Sequence, residues 1–212
     1  MAVVTITRQY GSGGSRVAQL VAQTLGWSVI DNEFVAAVAS RAGLPVETVA
    51  AHEERAPSLM ERMVGTLATA SPEMFVPAGT TDEEPTEEQI VNVTARIIAD
   101  AAQHGRAVLV GRGAQAVLAS AGPDEALHIW VVAPRAARLA TLMKRLGRDE
   151  KAAAAAMDDT EANRDRYVHK WHGRHRQDPA NYHLVVNTGF LGYDGAAELV
   201  VSAARQRGWG GP

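Results

Sequence analysis

Apolar residues fall in five short clusters along the chain, each followed by a polar or glycine-rich break and then by residues at helical spacing. Ala2 to Thr7 (AVVTIT) is β-branched and reads as a buried strand. Arg8-Gln9-Tyr10-Gly11-Ser12-Gly13-Gly14-Ser15 follows, and Val17, Leu20, Val21 and Leu25 then mark one face of a helix from Arg16, stopped by Gly26. Ser28 to Ile30 predicts a second strand ending at Asp31. Phe34, Val35 and Val38 predict a helix up to Gly43, and Pro45 opens another through His52.

Between Arg55 and Pro85 the periodicity fades. Pro57, Pro72, Pro77 and Pro85 interrupt it and TTDEEPTEE is acidic and turn-rich, so 55–85 reads as a mobile insert and not a second core domain. Thr86 caps a long helix that turns Ile90, Val93, Ile97 and Ile98 inward and ends near Gly105. Ala107 to Val110 is a third strand running into Gly111-Arg112-Gly113, Ala114 to Ala119 is helical, and Gly122-Pro123 turns the chain. Leu127 to Val132 is a fourth strand with Trp130 expected in the core, and Pro134 starts a helix through Leu146. A charged helix spans Asp149 to about His172, a fifth strand runs from Leu184 to Val186 and ends at Asn187, and Tyr193 to Arg207 is the last helix.

Short apolar strands alternating with helices predict one α/β domain over residues 1–212, a five-stranded parallel sheet with helices on both faces. Ligands bind beyond the carboxyl ends of such strands. The residues that follow the strands, Gly11 to Ser15, Asp31, Arg112 and Asn187, then gather on one rim.

Composition narrows the chemistry. The net charge of -3 argues against a nucleic-acid partner, and zero cysteines exclude disulfides, thiolate zinc sites and thiol nucleophiles. No run approaches the roughly 20 apolar residues of a membrane span, and the first residues do not pattern as a signal peptide, so a soluble cytoplasmic protein without a membrane partner is expected. The composition is compatible with a homodimer. Of the 21 basic residues only Lys144, Lys151 and Lys170 are lysine. Compositional bias accounts for that, and so does phosphate binding, for which the guanidinium fork is suited.

Position favours phosphate. Strand, GSGGS, then helix is the layout of an anion-binding turn, in which glycines let the backbone curl and the helix end offers free amides. Against the Walker pattern G-x-x-x-x-G-K-Ser/Thr, with Gly13 on the second glycine, Arg8 stands at the first glycine and Gly14 at the lysine. Ser15 then stands at the magnesium-binding hydroxyl, and Arg8 or Arg16 is a candidate replacement for the missing ammonium. A ligand-free glycine-rich turn is the other reading. A dinucleotide fingerprint fits less well, because G-S-G-G is not G-x-G-x-x-G.

The stretch ITRQYGSGGSRVAQLVAQTLGWSVIDNEFV resembles the opening of the cytidylate kinase-like family, within the P-loop nucleoside monophosphate kinases. RAGLPVETV, VLVGRGA, NRDRYVHKWHG and DPANYHLVVNTGFLGYDGAAELV resemble its later landmarks in order, so the likeness runs from Val4 to about Val201. Glycine at the lysine position is shared with that family; Ser15 departs from the arginine many members have there.

The resemblance implies a kinase that moves the γ-phosphoryl group of ATP, with Mg²⁺, to a small acceptor, CMP or dCMP by default. Arg8, Tyr10, Gly11, Ser12, Gly13, Gly14, Ser15 and Arg16 would hold the nucleotide, with Ser15 on the metal. Arg164 and Arg166 match the family's lid arginines, which places a lid at 158–178, and the insert 55–85 falls on the acceptor side. Arg112 resembles the arginine of a Gly-Arg-Asp motif that faces the acceptor phosphate, and Asp31 resembles an acceptor-side aspartate. Gly113 replaces the Asp of that motif, and the Tyr-Arg expected around Val35 and Ala36 is absent. Both departures leave open another small acceptor, and the missing lysine leaves open a nucleotide-binding regulatory module without turnover.

Other residues admit two readings each. Asp158, Asp159 and Asp178 would orient arginines or sit on the surface, and Tyr167 and Trp171 would stack on a base or pack the lid. Met60, Met63 and Phe75 would line an acceptor pocket or cover the core. His169, His172 and His175 invite a metal reading, but three-residue spacing drifts about 60° per step around a helix and Gly173 interrupts it. His104 and His128 read as structural or exposed.

Overall fold

The computed structural model describes residues 2–31, 87–119 and 126–210. The helices expected over 34–52, the insert 55–85 with Met60, Met63 and Phe75, and the Gly122-Pro123 turn lie outside the described residues.

Five strands form one sheet: β1 (Val3–Arg8), β2 (Ser28–Ile30), β3 (Ala107–Val110), β4 (Leu127–Val132) and β5 (Leu184–Asn187). Their order is β2-β3-β1-β4-β5 and every pairing is parallel, with Thr5 opposite both Leu109 and His128. The connections between parallel strands carry helices α1 (Gly14–Leu25), α2 (Glu87–His104), α3 (Ala114–Ala119), α4 (Arg135–Leu146) and α5 (Glu150–His172), and α6 (Thr188–Gln206) follows β5.

Alternation along the strands sorts the core onto two faces. Val3 and Leu109 face one way with Ile97, Ile98 and Leu118 of α2 and α3. Val4, Ile6, Val108 and Val110 face the other, with Val17 and Val21 of α1 and Val200 of α6. A third cluster, Leu142, Ala153 and Met157, joins α4 to α5 and receives the ring of Tyr10. Two inward assignments change: Ile90 is 43% exposed, in the first turn of α2, and Trp130 is half-buried, its ring stacked on Tyr182 at 5.5 Å.

The ends of the elements follow local chemistry. The first helix begins at Gly14, two residues before the periodicity suggests, because left-handed Gly13 (φ 77°) turns the chain into it. Asp149 caps α5 by accepting from the Ala152 N–H at 2.8 Å, and Gly173 closes that helix in the left-handed region. In α6 the non-helical Gly192 separates the opening turn from the long helix that Tyr193 begins.

Candidate active site

The loop from β1 to α1 lies at the carboxyl rim of the sheet's central strand. Gly11 (φ 84°) is pressed against α4, where a Cβ would stand 2.8 Å from the Arg138 carbonyl oxygen. Ser12 is buried, and its hydroxyl donates to the carbonyls of Gln9 (2.8 Å) and Val131 (3.2 Å). The Thr188 hydroxyl holds the same turn, with the Ser12 carbonyl at 2.7 Å and that of Val132 at 3.2 Å. The Ser12 side chain therefore anchors the loop, and only its backbone is left to serve an anion. Beyond Gly13, α1 opens with no side-chain cap and no acidic residue in its first turn, while Ser15 and Arg16 are exposed there. Its free amides and partial positive charge are the elements of a phosphate site.

Arg8, the last residue of β1, crosses this helix entrance. A Cβ on Gly14 would collide with the Arg8 Cβ and stand 2.9 Å from its Cγ, and a Cβ on Gly111 would collide with its Nη1. The side chain thus runs over Gly14 toward the turn after β3. Burial, then the neighbouring charge of Arg164, lowers the Arg8 pKa to about 9, with Asp31 acting in the opposite direction. The guanidinium remains charged at neutral pH.

Helix α5 and the turn after it bring further cations to the same place. Arg164 Nη1 and Arg176 Nη1 both donate to the Arg8 carbonyl oxygen, at 3.1 and 3.2 Å. The Arg176 side chain is 3% exposed, with Nη2 2.8 Å from Glu161 Oε2 and Nε 2.6 Å from Asp165 Oδ1. Burial acts to lower its pKa, but the bonds and charges of the two carboxylates outweigh that and hold it above the usual value. Burial lowers the pKa of Arg164, 3.7 Å from Glu161 Oε1.

A cleft of about 280 Å³ opens among these groups, lined by Arg8, Arg112, Arg164, Arg176, Tyr167 and Tyr182. Arg112 holds a left-handed backbone (φ 52°) between Gly111 and Gly113, a conformation that costs a non-glycine residue roughly 1–2 kcal/mol. His172 fills the space beside Gly113, where a Cβ would collide with its Nε2. A smaller cleft of about 170 Å³ flanks the loop on the other side, between Gly11, Ser12, Ala137, Thr188 and Tyr193. A larger groove of about 560 Å³ between α1 and α6 includes no loop residue and mixes Asp194 and Glu198 with Arg205.

The rim therefore brings together the loop, Arg8, Asp31, Arg112 and Arg164. It does not bring Arg166, which is exposed and donates to Asn163 Oδ1 at 3.0 Å. The Tyr10 ring packs into the α4–α5 cluster between Arg145 and Arg164, 4.8 and 5.3 Å from its centroid. Asn187 accepts from the Gly189 N–H, Asp178 caps a short 3-10 turn, and Asp158 forms an exposed pair with Arg135. The rings of His169 and His175 stack at 5.2 Å, whereas His172 stands edge-on to Tyr167, so the three do not converge. Among the described residues no group of three or more His, Asp or Glu side chains is arranged to hold a metal.

Of the residues of the site, Glu161 escapes a reading of the sequence, and Arg176 falls within the expected lid at 158–178 without being singled out there. The i,i+3 spacing of Glu161 and Arg164 places both on one face of α5 and is the signal that was there to find. Arg176 lies beyond the helix, and only the tertiary turn after Gly173 returns it to the loop.

The profile of the cytidylate kinase-like family matches residues 3–189. Comparison with curated proteins gives no match. Among solved structures, an uncharacterized protein from Eubacterium ventriosum is similar with a TM-score of 0.69 and 18% identity, over 97% of this chain and 99% of that one. Shikimate kinase from Bacteroides thetaiotaomicron is similar with a TM-score of 0.52 and 11% identity, over 96% and 98%. Shikimate kinase from Acinetobacter baumannii gives 0.50 and 10%, over 97% and 94%. At these identities the likeness is one of fold, that of the P-loop kinases. The family profile spans most of the chain and includes the glycine loop, the arginine cleft and all five strands, so this chain belongs to the cytidylate kinase-like family.

Proposed function

We propose that the chain is a cytoplasmic small-molecule kinase that transfers the γ-phosphoryl group of ATP to CMP or dCMP. The observation that carries this reading is the convergence of Arg8, Arg112, Arg164 and Arg176 on one cleft beside an uncapped, glycine-rich helix entrance. Phosphoryl transfer asks little covalent chemistry of a protein. It requires alignment of the two substrates and neutralisation of charge on the transferred group. The loop amides suit the donor's phosphates, and Arg8 supplies a fixed positive charge where the family pattern has no lysine. Arg164 and Arg176 are already tied to the Arg8 carbonyl and so need little further ordering. By the family resemblance, Arg112 and Asp31 would serve the acceptor.

The exposed Ser15 hydroxyl at the open helix end, with no carboxylate cluster among the described residues, suits Mg²⁺ carried mainly by phosphate oxygens and water. When bound, Mg²⁺ would neutralise charge on the donor phosphates. No helix among the described residues is long and apolar enough to cross a membrane.

One observation favours a different small acceptor. His172 Nε2 occupies the space that a side chain at position 113 would need, so the aspartate of a Gly-Arg-Asp motif does not fit beside it. An ADP-release assay over CMP, dCMP, the other nucleoside monophosphates and small hydroxy acids decides between them. Turnover with CMP or dCMP supports the first reading, and turnover only with another compound supports the second. Tight MgATP binding without turnover on any acceptor points to a regulatory module. The absence of calorimetric heat with millimolar MgATP and MgADP overturns the nucleotide site itself.

A further inference from the structure

Glu161 connects three parts of the site. Its Oε1 accepts the backbone N–H of Tyr10 at 2.6 Å, its Oε2 takes Arg176 at 2.8 Å, and Arg164 lies 3.7 Å away. Both of those arginines donate to the Arg8 carbonyl, two residues before that amide. Helix α5 and the turn after it therefore grip the backbone from Arg8 to Tyr10 by a C=O and an N–H at once. That stretch leads directly into Gly11 and Gly13, whose left-handed backbones shape the loop.

Charge in the cleft adds to this grip. Arg8, Arg164 and Arg176 crowd together, and each of the other two lowers the pKa of Arg8. Asp31 opposes that at Arg8, while the Glu161 carboxylate, 17% exposed and accepting two short bonds, acts to raise the pKa of both Arg164 and Arg176. Asp165 is the other carboxylate on Arg176, but it is 37% exposed and its second oxygen accepts from Gln177 Nε2.

We infer that Glu161 is a positioning residue for phosphoryl transfer: it sets Arg164 and Arg176 against the entrance of the phosphate loop, without itself touching the substrates. This role rests on the kinase reading above. A positioning residue matters most when the transferred group is in flight, because misplaced guanidinium groups lose more in the transition state than in the ground state.

The test compares two complexes of the full chain: MgADP alone, and MgADP with aluminium fluoride and CMP, which imitates the transferring phosphoryl group. Glu161→Gln keeps the size of the side chain but removes its charge and one of its two acceptor oxygens. It should weaken binding of the aluminium fluoride complex at least about tenfold more than it weakens binding of MgADP. Equal losses in both complexes, or no loss in either, overturn the inference and leave Glu161 a purely structural partner of Arg176. If Glu161→Gln loses its cooperative thermal transition, Glu161→Asp carries the same comparison, because it keeps the charge and gives up one methylene of reach. Wild-type protein that binds neither complex overturns the kinase reading, and this role with it; that outcome is told apart because the failure appears before any substitution.

Discussion

The side chain of Arg8 occupies the space that a side chain on Gly14 would need: a Cβ there would collide with the Arg8 Cβ and stand 2.9 Å from its Cγ. Gly14 lies in the first turn of α1 and is not among the left-handed glycines, so its backbone would accept any residue. Arginine at 8 and glycine at 14 are therefore a coupled pair. In the kinase reading proposed above, this strand-borne cation would stand in for the lysine that a Walker loop carries on its helix.

Restoring the lysine should accordingly harm the loop. Gly14→Lys is expected to weaken MgATP binding by at least about tenfold, even though replacing a helical glycine gains roughly 1 kcal/mol of propensity. Removing the obstruction in Gly14→Lys/Arg8→Gly, which deletes the colliding Cβ as well, should recover part of that affinity. Isothermal titration of the single and double variants checks this, and a single variant that binds as well as wild type refutes the coupling.

The three arginines of the lid region should separate in kinetics. Arg164→Ala is expected to lower kcat by about 10- to 1000-fold with little change in thermal stability, whereas Arg166→Ala, on the exposed face, should cost far less. Arg176→Ala should do both kinds of damage. It strips the partner from Glu161 and Asp165, and breaking a pair this buried costs about 3 kcal/mol. Steady-state kinetics and urea titrations on the three variants separate the outcomes. Loss of activity in Arg166→Ala equal to that in Arg164→Ala would return Arg166 to the site.

Acid should destabilise the fold through His128. Its ring is buried within the sheet, shares a 2.8 Å hydrogen bond with Thr5 Oγ1 and stacks on His183 at 5.0 Å. Burial first, and then the charge of His183, lowers its pKa from 6.5 to about 4. Between those values the unfolded chain takes up a proton that the folded one refuses. Stability from this group is therefore intact above pH 6.5 and falls as pH drops toward 4, by at most about 3 kcal/mol. Denaturant midpoints across that window check it. His128→Asn keeps an acceptor for the Thr5 hydroxyl but does not titrate, so its profile should be flatter; an equally steep profile would assign the acid sensitivity elsewhere.

Much of this architecture was legible before folding. Five β-branched or apolar runs separated by helical periodicity fix a parallel sheet, since each strand reads as buried on both faces. The strand bounds agree with that reading to within one residue. The glycine loop was legible too, because φ near +80° at Gly11 and Gly13 is a demand that a sequence displays openly.

Where the reading failed, it did so on side chains whose role depends on distant partners. Tyr10, within the loop, turns its ring to a cluster built from α4 and α5. Ser12 spends its hydroxyl on a carbonyl of β4, 119 residues away. Among the basic residues after Asn163, spacing alone could not tell Arg164 and Arg176, which reach the Arg8 carbonyl, from Arg166, which does not.

By itself, then, the order of residues determined the strands, the helices among the described residues and the backbone turn that can cradle an anion, because these depend on neighbours a few positions apart. The packing of α5 and its following turn against the β1–α1 junction decided which arginines enter the cleft and that a glutamate steadies them. Charge at a point in space is set by groups far apart along the chain, and only the folded molecule brings those groups within reach of one another.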